Sequence, residues 1–156
     1  MLKPILLVED NPNDLDLVLR ALAKTNLANE VVIARDGEEA LDYLFCRGKF
    51  EARNRGNPAV VLLDLKLPKI NGLEVLNIIR NDPNLRPLPV VMLTSSSEET
   101  DLAKSYSLGV NAYVVKPVSF KEFMTAVQEL GLFWAVLNEP PPGSKRSTVG
   151  RRTDQV

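Results

Sequence analysis

Five short apolar runs recur along the chain. They are Pro4-Ile5-Leu6-Leu7-Val8, Val31-Val32-Ile33-Ala34, Ala59-Val60-Val61-Leu62-Leu63, Pro89-Val90-Val91-Met92-Leu93 and Ala112-Tyr113-Val114-Val115. Each is rich in β-branched residues, and most alternate poorly between apolar and polar. That pattern belongs to strands buried on both faces, as in a parallel sheet. The second run is the weakest, which fits a strand near an edge.

Helical patterns with start signals fill the gaps. Asn11-Pro12 reads as an N-cap followed by proline at the first helical position, with Asp14 and Asp16 in the first turn. Leu15, Val18, Leu19 and Leu22 then form one apolar stripe. Asp36-x-x-Glu39, Asn71-x-x-Glu74 and Ser119-x-x-Glu122 read as capping boxes opening the second, third and fifth helices. Leu41, Leu44 and Phe45 face inward on the second helix, and Pro83 must end the third. A fourth helix opens near Ser95 or Ser96 with Glu98 or Glu99 and ends at Gly109. The fifth carries Phe123, Val127, Leu130 and Trp134 at helical spacing. The alternation is (βα)5, which predicts right-handed crossovers and a helix-covered parallel sheet of the α/β class. Alternation alone does not fix the strand order.

At 156 residues the chain suits one domain. It contains no histidine, which excludes Ser-His-Asp and Cys-His nucleophiles, His-ligated zinc and a phosphohistidine of its own. Its one cysteine, Cys46, excludes an internal disulfide and fits a reducing cytoplasm. Net charge is -1, so global charge gives no argument for nucleic acid or an anionic membrane. No apolar run reaches the roughly 18 residues of a membrane span. A cytoplasmic protein without membrane insertion is expected.

Two segments break the alternation. Residues 46–58 form a long polar connection. Residues 139–156 hold prolines, glycines and almost no large apolar side chain, and are predicted to be a disordered tail. In that tail Lys145, Arg146, Arg151 and Arg152 outweigh Glu139 and Asp154. The organisation expected is one domain over 1–138 followed by that tail. Nothing after residue 138 is expected to hold an output or DNA-binding domain.

Polar residues fall at the strand ends. The first strand runs into Glu9-Asp10, the third into Asp64, the fourth into Thr94-Ser95 and the fifth into Lys116-Pro117. In an open parallel sheet these C-terminal ends share one rim, where ligands bind. Each feature alone is ordinary: a cap, or a solvated lysine. Together they bring carboxylates, a hydroxyl and an ammonium into one place. Clustered acids repel unless a cation compensates, and hard oxygens favour Mg2+. The set suits phosphoryl chemistry, in which a carboxylate acts as nucleophile while Mg2+, Lys116 and Thr94 neutralise or bind oxygens. No glycine-rich phosphate cradle follows the first strand, which disfavours nucleotide binding.

The blocks Leu7-Val8-Glu9-Asp10-Asn11, Leu62-Leu63-Asp64-Leu65-Lys66-Leu67-Pro68-Lys69-Ile70-Asn71-Gly72, Leu93-Thr94-Ser95 and Val115-Lys116-Pro117 resemble, in order and spacing, the motif set of two-component receiver domains. The resemblance covers roughly residues 2–137. It implies a flavodoxin-like sheet of order 2-1-3-4-5. It implies that Asp64 is the phosphoacceptor. Asp10 and Asp64 would ligate Mg2+ with the backbone carbonyl of Lys66, and Glu9 would act through a metal-bound water. Thr94 would bind a phosphoryl oxygen, and Lys116 would pair with the phosphoryl group. Lys116-Pro117 would be a cis peptide, and Tyr113 an aromatic switch on the fifth strand. Lys116, as a rim side chain, is expected to matter more for signalling than for folding.

Tyr43-Leu44-Phe45-Cys46-Arg47-Gly48, the connection to Asn57-Pro58, and Asn81-Asp82-Pro83-Asn84-Leu85-Arg86-Pro87-Leu88-Pro89 resemble a narrower group, the stand-alone response regulators paired with phytochrome histidine kinases. That resemblance implies a phytochrome-type sensor histidine kinase as donor, an unidentified downstream protein, and no direct DNA binding. The surface of the fourth helix, fifth strand and fifth helix would serve a homodimer and partner docking, with Tyr106, Phe120, Met124, Phe133 and Trp134 as apolar material. Such a protein is a phosphoacceptor rather than an enzyme acting on other substrates. Two other readings compete. An aspartate-nucleophile phosphatase needs a second acid two residues after the nucleophile, where this chain has Lys66. A scaffold indifferent to phosphorylation has no need of the complete acceptor set.

Overall fold

The computed structural model describes residues 2–24, 29–54, 56–95 and 99–129. The strands are β1 (Ile5–Val8), β2 (Val31–Ala34), β3 (Val60–Asp64), β4 (Val90–Thr94) and β5 (Ala112–Val115). The helices are α1 (Pro12–Ala23), α2 (Gly37–Leu44), α3 (Gly72–Asn81), α4 (Glu99–Ser107) and α5 (Phe120–Glu129). The strands form one parallel sheet of order β2-β1-β3-β4-β5. The weakest apolar run, β2, is an edge strand.

Successive strand residues point to opposite faces. Ile5, Leu7, Leu62 and Leu93 pack with Val18 and Leu22 of α1 and Phe123 and Val127 of α5. Leu6, Val8, Leu63 and Met92 pack with Leu41 and Leu44 of α2 and Val75 and Ile79 of α3. Because both faces are covered, the strands are apolar up to their C-terminal ends, where β3 closes on Asp64 and β4 on Thr94.

The caps only partly follow the predicted boxes. Asn11 accepts from the N–H groups of Asn13 and Asp14, and Asn71–Glu74 forms the full reciprocal box. At α2, Asp36 caps Glu39, but the Glu39 carboxylate accepts from the Arg35 N–H, one residue before the cap. At α5, Glu122 donates its N–H to Ser119 Oγ and takes the Ser119 hydroxyl in return. Asp16 lies beyond the first turn of α1 and pairs instead with Arg20 at 2.9 Å, at i,i+4 spacing. Residues 96–98, Leu130, Phe133, Trp134 and the tail 139–156 lie outside the described residues, and with them the start of α4 and the end of the predicted apolar stripe on α5.

The connection after α2 is held by its own contacts. It contains a 3-10 turn at Gly48–Phe50, and the Arg53 guanidinium stacks 3.9 Å from the centre of the Tyr43 ring while donating to the Tyr43 carbonyl at 2.7 Å. Arg80 of α3 ties together the opposite side. It donates to the carbonyls of Gly109, Arg86 and Leu88 and to Asn111 Oδ1, at 2.8 to 2.9 Å. These bonds fix the β4 entry and the turn after α4, where Gly109 adopts φ 84.

Candidate functional site

The C-terminal ends of β1, β3, β4 and β5 carry Glu9-Asp10, Asp64, Thr94 and Lys116. β4 lies between β3 and β5, with Asp64 in register with Leu93 and Thr94 with Val115. Thr94 is buried, and its carbonyl accepts the Lys116 N–H at 2.7 Å. Lys116-Pro117 is a cis peptide.

The Lys116 side chain turns into the rim and is only 8% exposed. Its ammonium lies 2.9 Å from Glu9 Oε1, 3.0 Å from Asp14 Oδ2 and 3.1 Å from Asp64 Oδ1. The side chain is therefore buried, not the solvated surface group on which the expectation of a small folding role rested. Burial alone would lower its pKa, but hydrogen bonding to Glu9 and Asp14 and the charge of Asp64 outweigh that and push it up.

The Asp64 carboxyl is raised as well, which for an acid favours the neutral form. Desolvation, and then the charge of Glu9, push its carboxyl up to about 7 against the opposing pull of Lys116. The site holds more carboxylate than its one ammonium can neutralise. Glu9 is fully buried, and its Oε1 has no aligned hydrogen bond despite the Lys116 ion pair. Glu9, half-buried Asp10 and Asp64 each offer an oxygen, and these oxygens lie within 4.8 Å of one another. An under-neutralised set of hard oxygens at that spacing fits a divalent cation such as Mg2+.

Lys66 is exposed in the loop after β3. The path of that loop is set by close packing. A Cβ on Gly72 would sit 2.3 Å from the Asp64 carbonyl oxygen, and one on Gly37 would sit 2.2 Å from the Ile70 carbonyl oxygen. Neither helix could start where it does with a side chain there. Lys69, at φ 65, reaches back to Asp36 at 3.4 Å.

Tyr113 is half-buried on β5. Its hydroxyl donates to the Leu102 carbonyl of α4, and its ring meets that of Tyr106 edge-on at 4.5 Å between centres. Nearby Tyr106, Val115 and Phe120 are exposed.

Sequence reasoning missed one residue of the site. Asp14 reads as a first-turn acid that complements the helix dipole, yet its carboxylate reaches Lys116. The available signal was its position: a first-turn side chain leans toward the helix N-terminus, which here faces the rim.

Residues 5–128 match the family described as the response regulator receiver domain. The chain is 67% identical to a solved structure titled bacteriophytochrome response regulator RtBRR, covering 92% of this chain and 87% of that one, with a TM-score of 0.82. It is 65% identical to the bacteriophytochrome response regulator AtBRR, covering 89% and 99%, with a TM-score of 0.81. It is 42% identical over 132 residues to response regulator Rcp1 of Synechocystis sp. (strain ATCC 27184 / PCC 6803 / Kazusa), covering 85% of this chain and 88% of that protein. Rcp1 has been solved in a Mn(2+)-bound form, to which this fold superposes with a TM-score of 0.70 over 85% of this chain and 94% of that one.

Proposed function

The chain belongs to the response regulator receiver family, and from that premise we propose that it accepts a phosphoryl group from a phytochrome-type histidine kinase onto Asp64. The observation that carries this reading is the convergence of Asp64, Glu9 and Asp10 around the buried Lys116 ammonium. The absence of histidine fits it as well. A phosphohistidine donor is not supplied by these residues.

In the reaction an Asp64 carboxylate oxygen attacks phosphorus while the bond to the donor nitrogen breaks. Lys116 neutralises charge on the incoming phosphoryl oxygens, and Thr94 binds one of them. Asp10, Asp64 and the Lys66 carbonyl would hold Mg2+, with Glu9 acting through a water. Bound Mg2+ supplies positive charge for the phosphoryl oxygens. Asp64 reacts as its anion, and charge neutralisation within the site favours that form.

Output runs through protein contacts. Occupation of the site draws Thr94 inward and biases Tyr113 and α4 toward a second arrangement. The exposed side chains of Tyr106, Val115 and Phe120 support the α4–β5–α5 face as the surface for a homodimer or a downstream protein. The receiver domain is read as extending over 1–138, and its proposed place of action is the cytoplasm.

The direct test is phosphotransfer from radiolabelled histidine kinases. Label should move to the wild type from a phytochrome-type kinase and not to Asp64→Asn. Equal labelling of both would refute Asp64, and transfer only from unrelated kinases would refute the phytochrome-type donor.

A further inference from the structure

Asp14 has no part in the chemistry above, yet it occupies one of the three places around the Lys116 ammonium. An ammonium has three donors. Glu9, Asp14 and Asp64 crowd it, all within 3.1 Å, and the Asp14 contact is an aligned hydrogen bond. A phosphoryl oxygen can reach Lys116 only if a carboxylate yields.

We propose that Asp14 is a positioning residue that occupies Lys116 until a donor arrives and biases the site against small anionic phosphodonors. The inference rests on phosphoryl transfer to Asp64. The three carboxylates are not equivalent. Glu9 and Asp64 sit at strand ends, with side chains 0% and 6% exposed. Asp14 stands on the first turn of α1, and its side chain is 31% exposed. It alone can rotate into water without leaving a buried charge behind. Asp14 is thus the partner that yields.

Its charge also acts before contact. Counted against a bound divalent cation and the Lys116 ammonium alone, Glu9, Asp10, Asp14 and Asp64 leave one surplus negative charge beside Lys116, while the Arg35 guanidinium stands at the Asp10 carbonyl. Acetyl phosphate approaches as an anion and meets that surplus unaided. A docked kinase brings interface contacts that offset the repulsion. In the small-donor reaction an Asp64 oxygen bonds to phosphorus as the phosphorus–oxygen bond to acetate breaks. Acetate leaves with the bonding electrons, and the ammonium released by Asp14 meets the phosphoryl oxygens.

The test compares the full chain with Asp14→Asn and Asp14→Glu. Phosphate uptake from acetyl phosphate is followed at saturating Mg2+ over a range of salt concentrations. Asp14→Asn should take up phosphate roughly fivefold faster at low salt, with a flatter salt dependence, because one repulsive charge is gone. Asp14→Glu should behave as the wild type does. Lost helix-dipole stabilisation alone would change neither rate nor salt slope in this direction, and thermal unfolding checks that both variants fold. An unchanged or slower Asp14→Asn, or one with the wild-type salt slope, overturns the proposal. No uptake by either the wild type or Asp14→Asn would overturn the Asp64 reading itself, and the inference with it.

Discussion

The Lys116 ammonium lies 3.1 Å from Asp64 Oδ1, bridging the ends of β5 and β3 across the intervening β4. The pair is buried and the ammonium is shared with Glu9 and Asp14, so removing the lysine strands carboxylate charge, whereas removing the Asp64 charge leaves the lysine still paired.

Lys116→Met is therefore expected to be a folding variant as well as a signalling one. Glu9, Asp14 and Asp64 would face one another without their shared cation, at a cost of about 3 kcal/mol near neutral pH. Urea denaturation in EDTA measures this, and added Mg2+ should narrow the gap. A loss close to zero in EDTA would show that the three carboxylates do not depend on the lysine.

Asp64→Asn should stabilise the metal-free protein, and the gain should depend on pH. The Asp64 carboxyl is held up at about 7, against an ordinary value of 3.8. Below the ordinary value both folded and unfolded chains keep the proton, and the residue contributes nothing. Between the two values the unfolded chain releases a proton that the folded chain retains, so wild-type stability falls as pH rises. Above about 7 both forms are ionised and the penalty is constant. The gain from Asn should thus grow from pH 4 to pH 7 and then level off, as read by thermal unfolding in EDTA. A gain that shrinks over that window would reverse the assigned direction.

Gly72→Ala should disturb the site through the backbone. Its Cβ would lie 2.3 Å from the Asp64 carbonyl oxygen and 2.9 Å from Leu65 Cα. Neither neighbour is a flexible side-chain end, so the loop must move, at a cost of about 2–3 kcal/mol. Mg2+ titration should show weakened binding in parallel with the stability loss. Wild-type affinity in Gly72→Ala would show that the loop tolerates the shift.

Arg80→Ala should cost about 2–3 kcal/mol, because the bonds to Gly109, Arg86, Leu88 and Asn111 are lost together. Arg80→Lys should recover little, since an ammonium cannot reproduce the planar fork. Denaturant midpoints of the two variants test this, and a full rescue by lysine would contradict it.

The fold was legible because strand burial and helix starts are local. Doubly buried strands are apolar in sequence, and Asn11-Pro12 and Asn71-x-x-Glu74 announce their helices. The placement of Glu9, Asp10, Asp64, Thr94 and Lys116 at strand ends was legible for the same reason. What stayed hidden depends on distant partners. Asp14 looks like a helix-dipole acid until β5 brings Lys116 beside it, and the burial of Lys116 follows from carboxylates on β1, β3 and α1. Glu39 fits a capping box by spacing, yet its carboxylate takes the N–H of Arg35. The four acceptors of Arg80 are likewise brought to it only by the tertiary fold.

The central claim is that Asp64 takes a covalent phosphoryl group. Intact-mass spectrometry after incubation with acetyl phosphate and Mg2+ tests it most directly. The wild type should gain the mass of one phosphoryl group, lose it in EDTA-quenched hydroxylamine, and Asp64→Asn should gain none. A wild type that stays unmodified while its Mg2+ site is saturated, or an Asp64→Asn variant modified to the same extent, would contradict the account.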